Sequence, residues 1–444
     1  MELVIHRGTK EIGGTCVELR ADQSRIIVDL GIPLVSANKD QPFDSKVIEG
    51  KSVKQLLDSG VLPAVRGLYK GDNPSVGAVL ISHSHLDHYG LLRYVHPDIP
   101  IFLSNGAKEL IGVSDIFTPH RTGVLNVRIV SHGKKVKVAG FEITPFLVDH
   151  SAFDALAFLI EADGARVFYS GDFRGHGRKS ALFTKMVDAP PRDIDCLLME
   201  GSMIGRREQI YKDEIAVEHG IKKILSNKSN VGFLFVSSQN IDRLVSAYKA
   251  CRKAGTTFVI DLYTAFILRR LGTNTKSLPQ FNWPNVRVKF FKFHADKIAE
   301  ASQEKLLYLF NERKIEMEEI NRTKEKVLMI LRDNSLFPRV VGHIHPIDGA
   351  VIIYSMWEGY LTDKFQEYCR EKGITVKQVH TSGHAVPNDL TAFAKALNPK
   401  SLVPIHTFYA EQYRELFDNV KILEDGELWE VPQVTGRQSL SEIE

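Results

Sequence analysis

The segment Ser82-His83-Ser84-His85-Leu86-Asp87-His88 constrains this chain more than any other part of its sequence. It places three imidazoles and one carboxylate within six positions, directly after the apolar run 77–81. A short apolar run of this kind is typical of a buried β-strand. Side chains that can bind a metal therefore begin where a strand ends, and their spacing indicates a metal-binding site.

Three further strand-like segments lead to the same kinds of side chain. His150 follows the apolar segment 141–148, Asp172 follows segment 166–170 after a single glycine, and His406 follows segment 401–405. In layered α/β folds the loops that leave the carboxyl ends of strands gather at one edge of the sheet. Residues far apart in the chain can therefore converge there. A donor set of nitrogen and oxygen atoms without cysteine favours zinc or manganese.

Composition describes a folded, nearly neutral protein. The 444 residues are 43% hydrophobic, which is enough for two or three domains with real cores. The 57 basic and 54 acidic residues give a net charge of +3, which permits nucleic-acid binding without arguing for it. The four cysteines form no C-x-x-C pair, and neither a signal peptide nor a run of 18 apolar residues is found. We therefore expect a cytoplasmic protein that does not enter a membrane.

The spacing of the polar motifs predicts an inserted domain. Glu200 and His384 are separated by a long stretch in which segments 231–236, 241–254 and 256–261 follow a strand-helix-strand pattern. We predict an α/β protein in which residues 1–203 and 376–444 form one domain and residues 204–375 form the insertion. Segment 301–332 is charged and is predicted to be helical, whereas segment 375–380 is predicted to return to the first domain. Residues 434–444 are predicted to be a loose polar tail.

Seven short motifs occur in a fixed order along the chain. They are Asp29 in Val28-Asp29-Leu30-Gly31, the His-x-His-x-Asp-His run 83–88, His150, Asp172 in Ser170-Gly171-Asp172, Glu200 in Met199-Glu200-Gly201-Ser202, His384 in Thr381-Ser382-Gly383-His384-Ala385, and His406 in Pro404-Ile405-His406. With these motifs the chain resembles the metallo-β-lactamase-fold hydrolases, and within them the ribonuclease J-like members of the β-CASP branch. The resemblance implies a metallo-β-lactamase αββα sandwich with an inserted β-CASP domain, a Rossmann-like parallel sheet.

The resemblance also implies roles for individual residues. One divalent ion would be held by His83, His85 and His150, and a second by Asp87, His88 and His406. Asp172 would bridge the two ions, and Asp29 would orient the ligand loop from behind. Zinc is the expected metal, with manganese as the alternative.

The expected chemistry is cleavage of a phosphodiester. Two divalent ions can acidify a water molecule and align it with phosphorus, with Asp87 and Asp172 among the catalytic residues. His384 is the candidate general acid, and Glu200 is expected to hold it in its protonated form.

The same family holds a 5′-terminal phosphate in a pocket between its domains. By this resemblance, phosphate and RNA contacts are expected from a set that includes loop amides and a helix N-terminus, namely Ser237, Ser238, Asn240, Ser382, Gly383 and Ala385. Arg174, which closely follows Asp172, is added as a candidate contact to backbone phosphate. Gln239 and Asp242 depart from the family pattern, and we expect the carboxylate of Asp242 to oppose an anion.

Several alternatives stay open at this point. A histidine at position 406 marks the RNA-processing members of the family, so single-stranded RNA is the preferred substrate, with DNA as the alternative. Exonuclease and endonuclease action are both compatible with the sequence, as is a homodimer. A dinuclear hydrolase of a small ester or thioester and a non-catalytic RNA-binding subunit are the other classes considered. The pair His343 and His345 could hold a third metal ion, although a polar loop explains it more simply.

Overall fold

The structure is a computed structural model that describes residues 1–35, 43–119, 121–123, 126–207, 209–273 and 275–432. The predicted polar tail, residues 434–444, lies outside the described residues. The described residues form twenty strands: β1 (Glu2–Arg7), β2 (Cys16–Ala21), β3 (Ser24–Val28), β4 (Ala78–Leu80), β5 (Ile101–Leu103), β6 (Val127–Ile129), β7 (Val136–Val138), β8 (Phe141–Leu147), β9 (Leu156–Ala162), β10 (Ala165–Tyr169), β11 (Cys196–Glu200), β12 (Gly232–Phe235), β13 (Thr257–Asp261), β14 (Val286–Lys289), β15 (Lys314–Ile315), β16 (Val327–Leu331), β17 (Val351–Tyr354), β18 (Thr375–Gln378), β19 (Ser401–Ile405) and β20 (Leu428–Glu430).

The helices lie mainly between these strands. They are α1 (Val53–Asp58), α2 (Leu86–Tyr89), α3 (Asn105–Phe117), α4 (Ser180–Asp188), α5 (Glu214–Asn227), α6 (Ile241–Lys253), α7 (Leu262–Gly272), α8 (Lys292–Glu300), α9 (Glu304–Asn311), α10 (Met317–Arg322), α11 (Leu336–Val341), α12 (Asp363–Glu371) and α13 (Pro387–Leu397). Among the described residues, none of the helices combines the length and the apolar content that crossing a bilayer requires.

Two sheets face each other to form the first part of the molecule. One sheet has the strand order β20-β1-β2-β3-β4-β5-β6, and the other has the order β19-β11-β10-β9-β8-β7. Their facing sides share one buried core, to which Leu80 contributes from the first sheet and Phe158 and Val403 from the second. Helix α3 covers the outer face of the first sheet, and α4 and α13 cover that of the second. This arrangement is the predicted αββα sandwich.

The third sheet is parallel throughout and has the order β15-β14-β13-β16-β12-β17-β18. Successive side chains of a strand point to opposite faces of the sheet. In β12, Leu234 accordingly packs with α5, α6 and α7 on one face, whereas Phe233 and Phe235 pack with α11 and α12 on the other. Both faces are covered by helices, as expected for a Rossmann-like parallel sheet, and the predicted fold class is confirmed.

Two predictions about the inserted region are wrong in detail. Segment 375–380 was expected to return to the first domain, but Thr375–Gln378 pairs in parallel with β17 as the edge strand of the third sheet. Segment 301–332 was expected to be helical, but its end, Val327–Leu331, forms a fully buried strand between β12 and β13. The charged residues before Val327 conceal this strand in the sequence, because they extend the helix-like composition up to its first residue.

Candidate metal centre

The strand ends meet at one edge of the facing sheets. His83 and His85 follow β4, and Asp87 and His88 lie in the short helix α2. His150, Asp172 and His406 lie just beyond β8, β10 and β19. Gly31 allows this packing, because a Cβ atom at that position would lie 1.6 Å from the carbonyl oxygen of Asp87. The VDLG turn and the histidine-rich loop are therefore in direct backbone contact.

The first group of donors consists of three imidazoles and one carboxylate. Nδ1 of His85 lies 3.2 Å from Nε2 of His83 and 3.3 Å from Nε2 of His150. Nε2 of His83 lies 3.6 Å from Oδ2 of Asp172. Ligand atoms bound tetrahedrally to one zinc ion at about 2.0–2.1 Å are separated by about 3.3 Å. The spacing of this group therefore fits a single ion.

The second group shares Asp172 with the first. Nε2 of His88 lies 3.2 Å from Oδ2 of Asp172 and 3.7 Å from Oδ2 of Asp87. Nε2 of His406 lies 3.7 Å from each of the same two carboxylate oxygens. The structure thus brings together all seven residues that the sequence predicted as ligands, with Asp172 between the two groups.

The buried donor atoms have no other partner that would explain them. Nε2 of His88, Oδ2 of Asp172 and Nε2 of His406 are buried and make no hydrogen bond within the described part of the chain. An unsatisfied buried polar atom costs stability unless a ligand or ion completes it. Donor type, spacing and missing partners together fit metal ions.

The surroundings hold most of these imidazoles in the neutral form that binds a metal. Burial lowers the pKa of His85 to about 4 and places the pKa of His83 and His150 well below the usual value. Burial alone would raise the pKa of Asp172, but the nearby imidazoles of His406 and His88 hold it well below its usual range. His88 is the exception: burial would lower its pKa, but the carboxylates of Asp172, Asp29 and Asp87 raise it well above the usual value. Because a ligand imidazole must be neutral, a cation bound there would have to displace the proton of His88.

Asp29 lies behind the ligand loop, as predicted. Its carboxylate is 2.7 Å from Nδ1 of His88 and accepts hydrogen bonds from the Ser82 amide, the Ser82 hydroxyl and the Tyr169 hydroxyl. Nδ1 of His88 is thereby fixed, and Nε2 is directed at Asp172. The sequence did not reveal Ser82 and Tyr169 as parts of this support, because neither side chain belongs to a ligand pattern.

Other ligands are held in the same way by groups that the sequence did not reveal. Nδ1 of His406 lies 2.9 Å from the Thr15 hydroxyl, and Nδ1 of His150 lies 2.6 Å from the carbonyl oxygen of Gly383. The Gly383 carbonyl fixes a proton on Nδ1 of His150 and so leaves its Nε2 for a metal. Nδ1 of His406 also accepts from the Gly13 amide at 3.3 Å, so these contacts fix the direction of that ring.

His384 lies beside the shared carboxylate. Its Nδ1 is 3.3 Å from Oε1 of Glu200 and 3.6 Å from Oδ2 of Asp172. Burial would lower the pKa of His384, but the carboxylates of Glu200 and Asp172 raise it above its ordinary value. Glu200 is itself fixed by amide hydrogen bonds from three residues: Phe173, Ser202 and Ala385. His384 also lies within ligand distance of Asp172 and His406, so its geometry is compatible with metal binding as well.

The expected phosphate contact by Arg174 is wrong. Its side chain is fully buried, and its guanidinium contacts carboxylates of Asp149, Glu214 and Asp242. Asp242 is likewise nearly buried and bonded to Arg174 and Lys179, so its charge is neutralised. The expectation that Asp242 would repel an anion therefore fails too. These pairs join residues 25 to 68 positions apart, which is why the sequence did not reveal them.

The remaining predicted phosphate contacts are mostly engaged within the protein. The Ser382 amide donates to Gln209, the Ala385 amide donates to Glu200, and the Ser238 hydroxyl is buried against Thr264 and Arg332. Asn240 caps α6 by accepting from the Arg243 amide. Ser237 is exposed, and its hydroxyl accepts from the Gln239 amide and can still donate to a ligand.

The third-metal hypothesis finds no support. His343 and His345 are both exposed, and neither belongs to a group of potential ligands among the described residues.

A two-sheet sandwich with clustered histidines and aspartates at its edge defines the class of metallo-hydrolases. Residues 56–227 match the family model described as a beta-lactamase superfamily domain, and residues 370–423 match that of a Zn-dependent metallo-hydrolase RNA specificity domain. These matches confirm the predicted resemblance to the metallo-β-lactamase-fold, ribonuclease J-like β-CASP family.

Similar proteins extend over nearly the whole chain. Ribonuclease J of Pyrococcus abyssi is 22% identical over 96% of this chain and 96% of its own length. Ribonuclease J of Mycoplasma genitalium is 22% identical over 90% of this chain, which spans 66% of that relative. A crystal structure of a protein of unknown function from Enterococcus faecalis superposes with a TM-score of 0.76 at 21% identity, covering 96% of this chain and 99% of that one. This last likeness concerns the fold.

Proposed function

We propose that the protein is a metal-dependent phosphodiesterase that hydrolyses single-stranded RNA. The observation that carries the proposal is the pair of donor groups that share Asp172, with His384 beside the shared carboxylate. The RNA specificity domain model and the similarity to proteins named ribonuclease J support RNA as the substrate.

The donor chemistry favours two zinc ions, with manganese as the alternative. One ion would be held by His83, His85 and His150, and the other would be held by Asp87, His88 and His406. Asp172 would contribute to both sites. When bound, such a pair of ions supplies an acidified water and a clamp for the phosphoryl oxygens.

His384 supplies the proton that the leaving oxygen needs. Its Nδ1 faces Glu200 and Asp172, and both carboxylates stabilise the imidazolium. The proton on Nε2 is therefore the one that can pass to the departing ribose oxygen, which leaves far more easily as an alcohol than as an alkoxide. A positioned general acid of this kind accelerates cleavage by about 10²–10⁴-fold.

The test is cleavage of a defined single-stranded RNA by zinc- or manganese-loaded protein. We expect turnover by the wild type, and a loss of about 10²–10⁴-fold in His384→Ala with unchanged metal content. Metal loss in that variant would instead make His384 a ligand. RNA that is bound but never cut by metal-loaded protein would contradict the proposal in favour of a binding subunit. Cleavage of a small ester or thioester with RNA untouched would favour a small-substrate hydrolase.

The mode of cleavage is tested separately with three forms of one RNA. Cleavage of a circular RNA would establish endonuclease action. Release of mononucleotides only from 5′-monophosphorylated RNA, and not from the triphosphorylated form, would establish a 5′-to-3′ exonuclease that holds the terminal phosphate near Ser237 and Gly383. A single-stranded DNA of the same sequence tests the alternative substrate.

A further inference from the structure

Four aromatic side chains are exposed in one region of the surface, which we call the aromatic rim. They are Trp357 (44% exposed), Tyr360 (60%), Phe408 (39%) and Tyr409 (44%). Trp357 and Tyr360 come from the inserted region after β17, and Phe408 and Tyr409 follow β19. The rim therefore combines residues from both parts of the molecule.

Contacts among its members and their neighbours run from the segment after His406 to the inserted region. Tyr409 comes three residues after the ligand His406, and its ring packs on Gly205, where a Cβ atom would lie 2.7 Å from it. The guanidinium of the next residue, Arg206, lies over the ring of Trp357 at 5.1 Å. The Trp357 and Tyr360 rings then meet edge to face at 5.2 Å between their centroids. Tyr409, Arg206, Trp357 and Tyr360 are thus linked from the segment after β19 to the segment after β17, and Phe408 adjoins Tyr409 in the sequence.

The pKa of Tyr360 also indicates that the rim lies near the candidate metal ligands. Burial of the hydroxyl and the neighbouring Asp87 carboxylate both raise the pKa of Tyr360. Tyr360 is therefore near enough to Asp87 and Arg206 for their charges to act on it, and 60% of the residue is exposed to solvent. Arg206 is also close enough to act on the pKa of His384.

Exposed aromatic rings beside a charged site are suited to a partner that has both flat apolar faces and charged groups. A scattered apolar residue needs no explanation, but several large exposed rings close together mark a binding surface. Every nucleobase has a flat face that stacks on such rings, and a cationic guanidinium among them favours a phosphate backbone. Single-stranded RNA supplies both features together.

We propose that the aromatic rim binds the unpaired nucleobases next to the scissile phosphodiester by stacking, with Trp357 and Tyr360 as the main platform and Arg206 contacting the backbone. This inference rests on the proposed function, because it names the part of the RNA that the same site recognises. It predicts that the protein distinguishes single-stranded RNA from an equally long ribose-phosphate chain that lacks bases.

The first experiment measures binding to zinc-loaded protein with an RNA whose linkages resist hydrolysis, so that cleavage cannot interfere. An RNA oligonucleotide carrying a fluorescent purine analogue is titrated with wild type, Trp357→Ala, Trp357→Phe and Tyr360→Ala. Loss of one stacked base costs about 1–3 kcal/mol, so the Kd should rise by about 5- to 150-fold in the alanine variants. Trp357→Phe should restore most of the affinity. Tyr308→Ala is the matched control, because Tyr308 is 79% exposed on α9, outside the rim.

The second experiment compares the normal RNA with an abasic oligonucleotide of equal length. The wild type should prefer the normal RNA, and Trp357→Ala should reduce that preference toward one. If the wild type cleaves RNA while Trp357→Ala and Tyr360→Ala leave both the Kd and the preference for normal RNA unchanged, RNA binding by the aromatic rim is refuted. That result would not affect the proposed function. A variant that alters only the oligomeric state would likewise refute RNA binding by the rim and make the rim a protein interface. Absence of RNA cleavage by the wild type would instead refute the proposed function.

Discussion

Each of three ligand histidines is held by its second ring nitrogen. Nδ1 of His88 faces Asp29, that of His406 faces Thr15, and that of His150 faces the Gly383 carbonyl. Fixing one nitrogen sets the tautomer and the direction of the other. The precision of the site therefore depends on groups that do not touch the metal.

Asp29 gives the sharpest test of this dependence. In Asp29→Asn the charged acceptor for His88 and Ser82 is lost, and we expect metal affinity to fall by about 10- to 100-fold. Competition with a chromophoric chelator measures it. Asp22→Asn is the control, because Asp22 has a similar backbone conformation (φ 50° against 59° for Asp29) but is exposed in a turn. Equal metal affinities in Asp29→Asn and Asp22→Asn would show that Asp29 does not support metal binding.

At the scale of single residues, the sequence predicts the candidate metal ligands better than it predicts the residues that hold those ligands in place. Histidines and aspartates at strand ends are rare enough to be recognised, and all seven predicted ligands meet in space. Thr15, Ser82 and Tyr169 carry no such signal, because hydroxyl side chains occur everywhere. Arg174 was misassigned because its partners Asp149, Glu214 and Asp242 come together only in the folded chain.

Between secondary-structure elements, buried ion pairs join the inserted region to the metal-binding part. Arg243 of α6 binds Glu214 of α5 and donates to the carbonyl of Thr381, and Arg174 binds Glu214 and donates to the carbonyl of Ser382. These carbonyls begin the loop that carries His384. The pairs therefore position the proposed general acid as well as fastening α5 and α6.

Glu214 is the carboxylate common to both arginines, and its replacement tests this role. Burial opposes ionisation, but Arg243 and Arg174 hold the pKa of Glu214 well below its usual value. The pKa of Glu214 is thus lower in the folded chain than in the unfolded chain, where it is about 4.3. The ionised carboxylate therefore stabilises the fold above a pH of about 4.3, and this stabilisation is lost as the pH falls below that value. Glu214→Gln should therefore lower the free energy of unfolding by about 3–5 kcal/mol at pH 7, with a smaller difference in acid.

Urea unfolding at several pH values measures this difference. Glu304→Gln is the matched control, because Glu304 also begins a helix but is exposed. We expect the control to stay within about 0.5 kcal/mol of wild type. A deficit in Glu214→Gln that did not shrink below pH 4.3 would contradict the proposed ionic origin.

Among the elements, strands that lead to ligands were the easiest to predict. Segment 401–405 forms β19 at the predicted residues, and segment 241–254 forms α6 with Ala254 as its last flanking residue. The strand β16 was missed because a charged segment precedes it. The edge strand β18 was assigned to the wrong sheet because parallel pairing with β17 depends on contacts that the sequence does not encode locally.

For the whole molecule, metal binding would connect the two facing sheets. His83 and His85 follow β4 of the first sheet, whereas His150, Asp172 and His406 follow strands of the second. An ion bound to the folded state alone stabilises it by about 2.7 kcal/mol at a free concentration of 100 Kd. Removal of metal should therefore lower the thermal midpoint, and added zinc should restore it.

Differential scanning calorimetry with and without chelator measures the effect. His343→Ala should keep the full response to zinc, because His343 is exposed and outside both donor groups. Asp172→Ala should lose most of it. A midpoint that does not respond to chelator and zinc in the wild type would contradict the connection between the sheets.

The number of metal ions bound per chain tests the central claim most directly. It is measured by elemental mass spectrometry after reconstitution with zinc and removal of free ions by gel filtration. The account predicts two ions per wild-type chain and a clear loss in Asp172→Ala, because that carboxylate lies between both donor groups. Wild-type protein that retains no metal, or an Asp172→Ala variant that retains as much as the wild type, would contradict it.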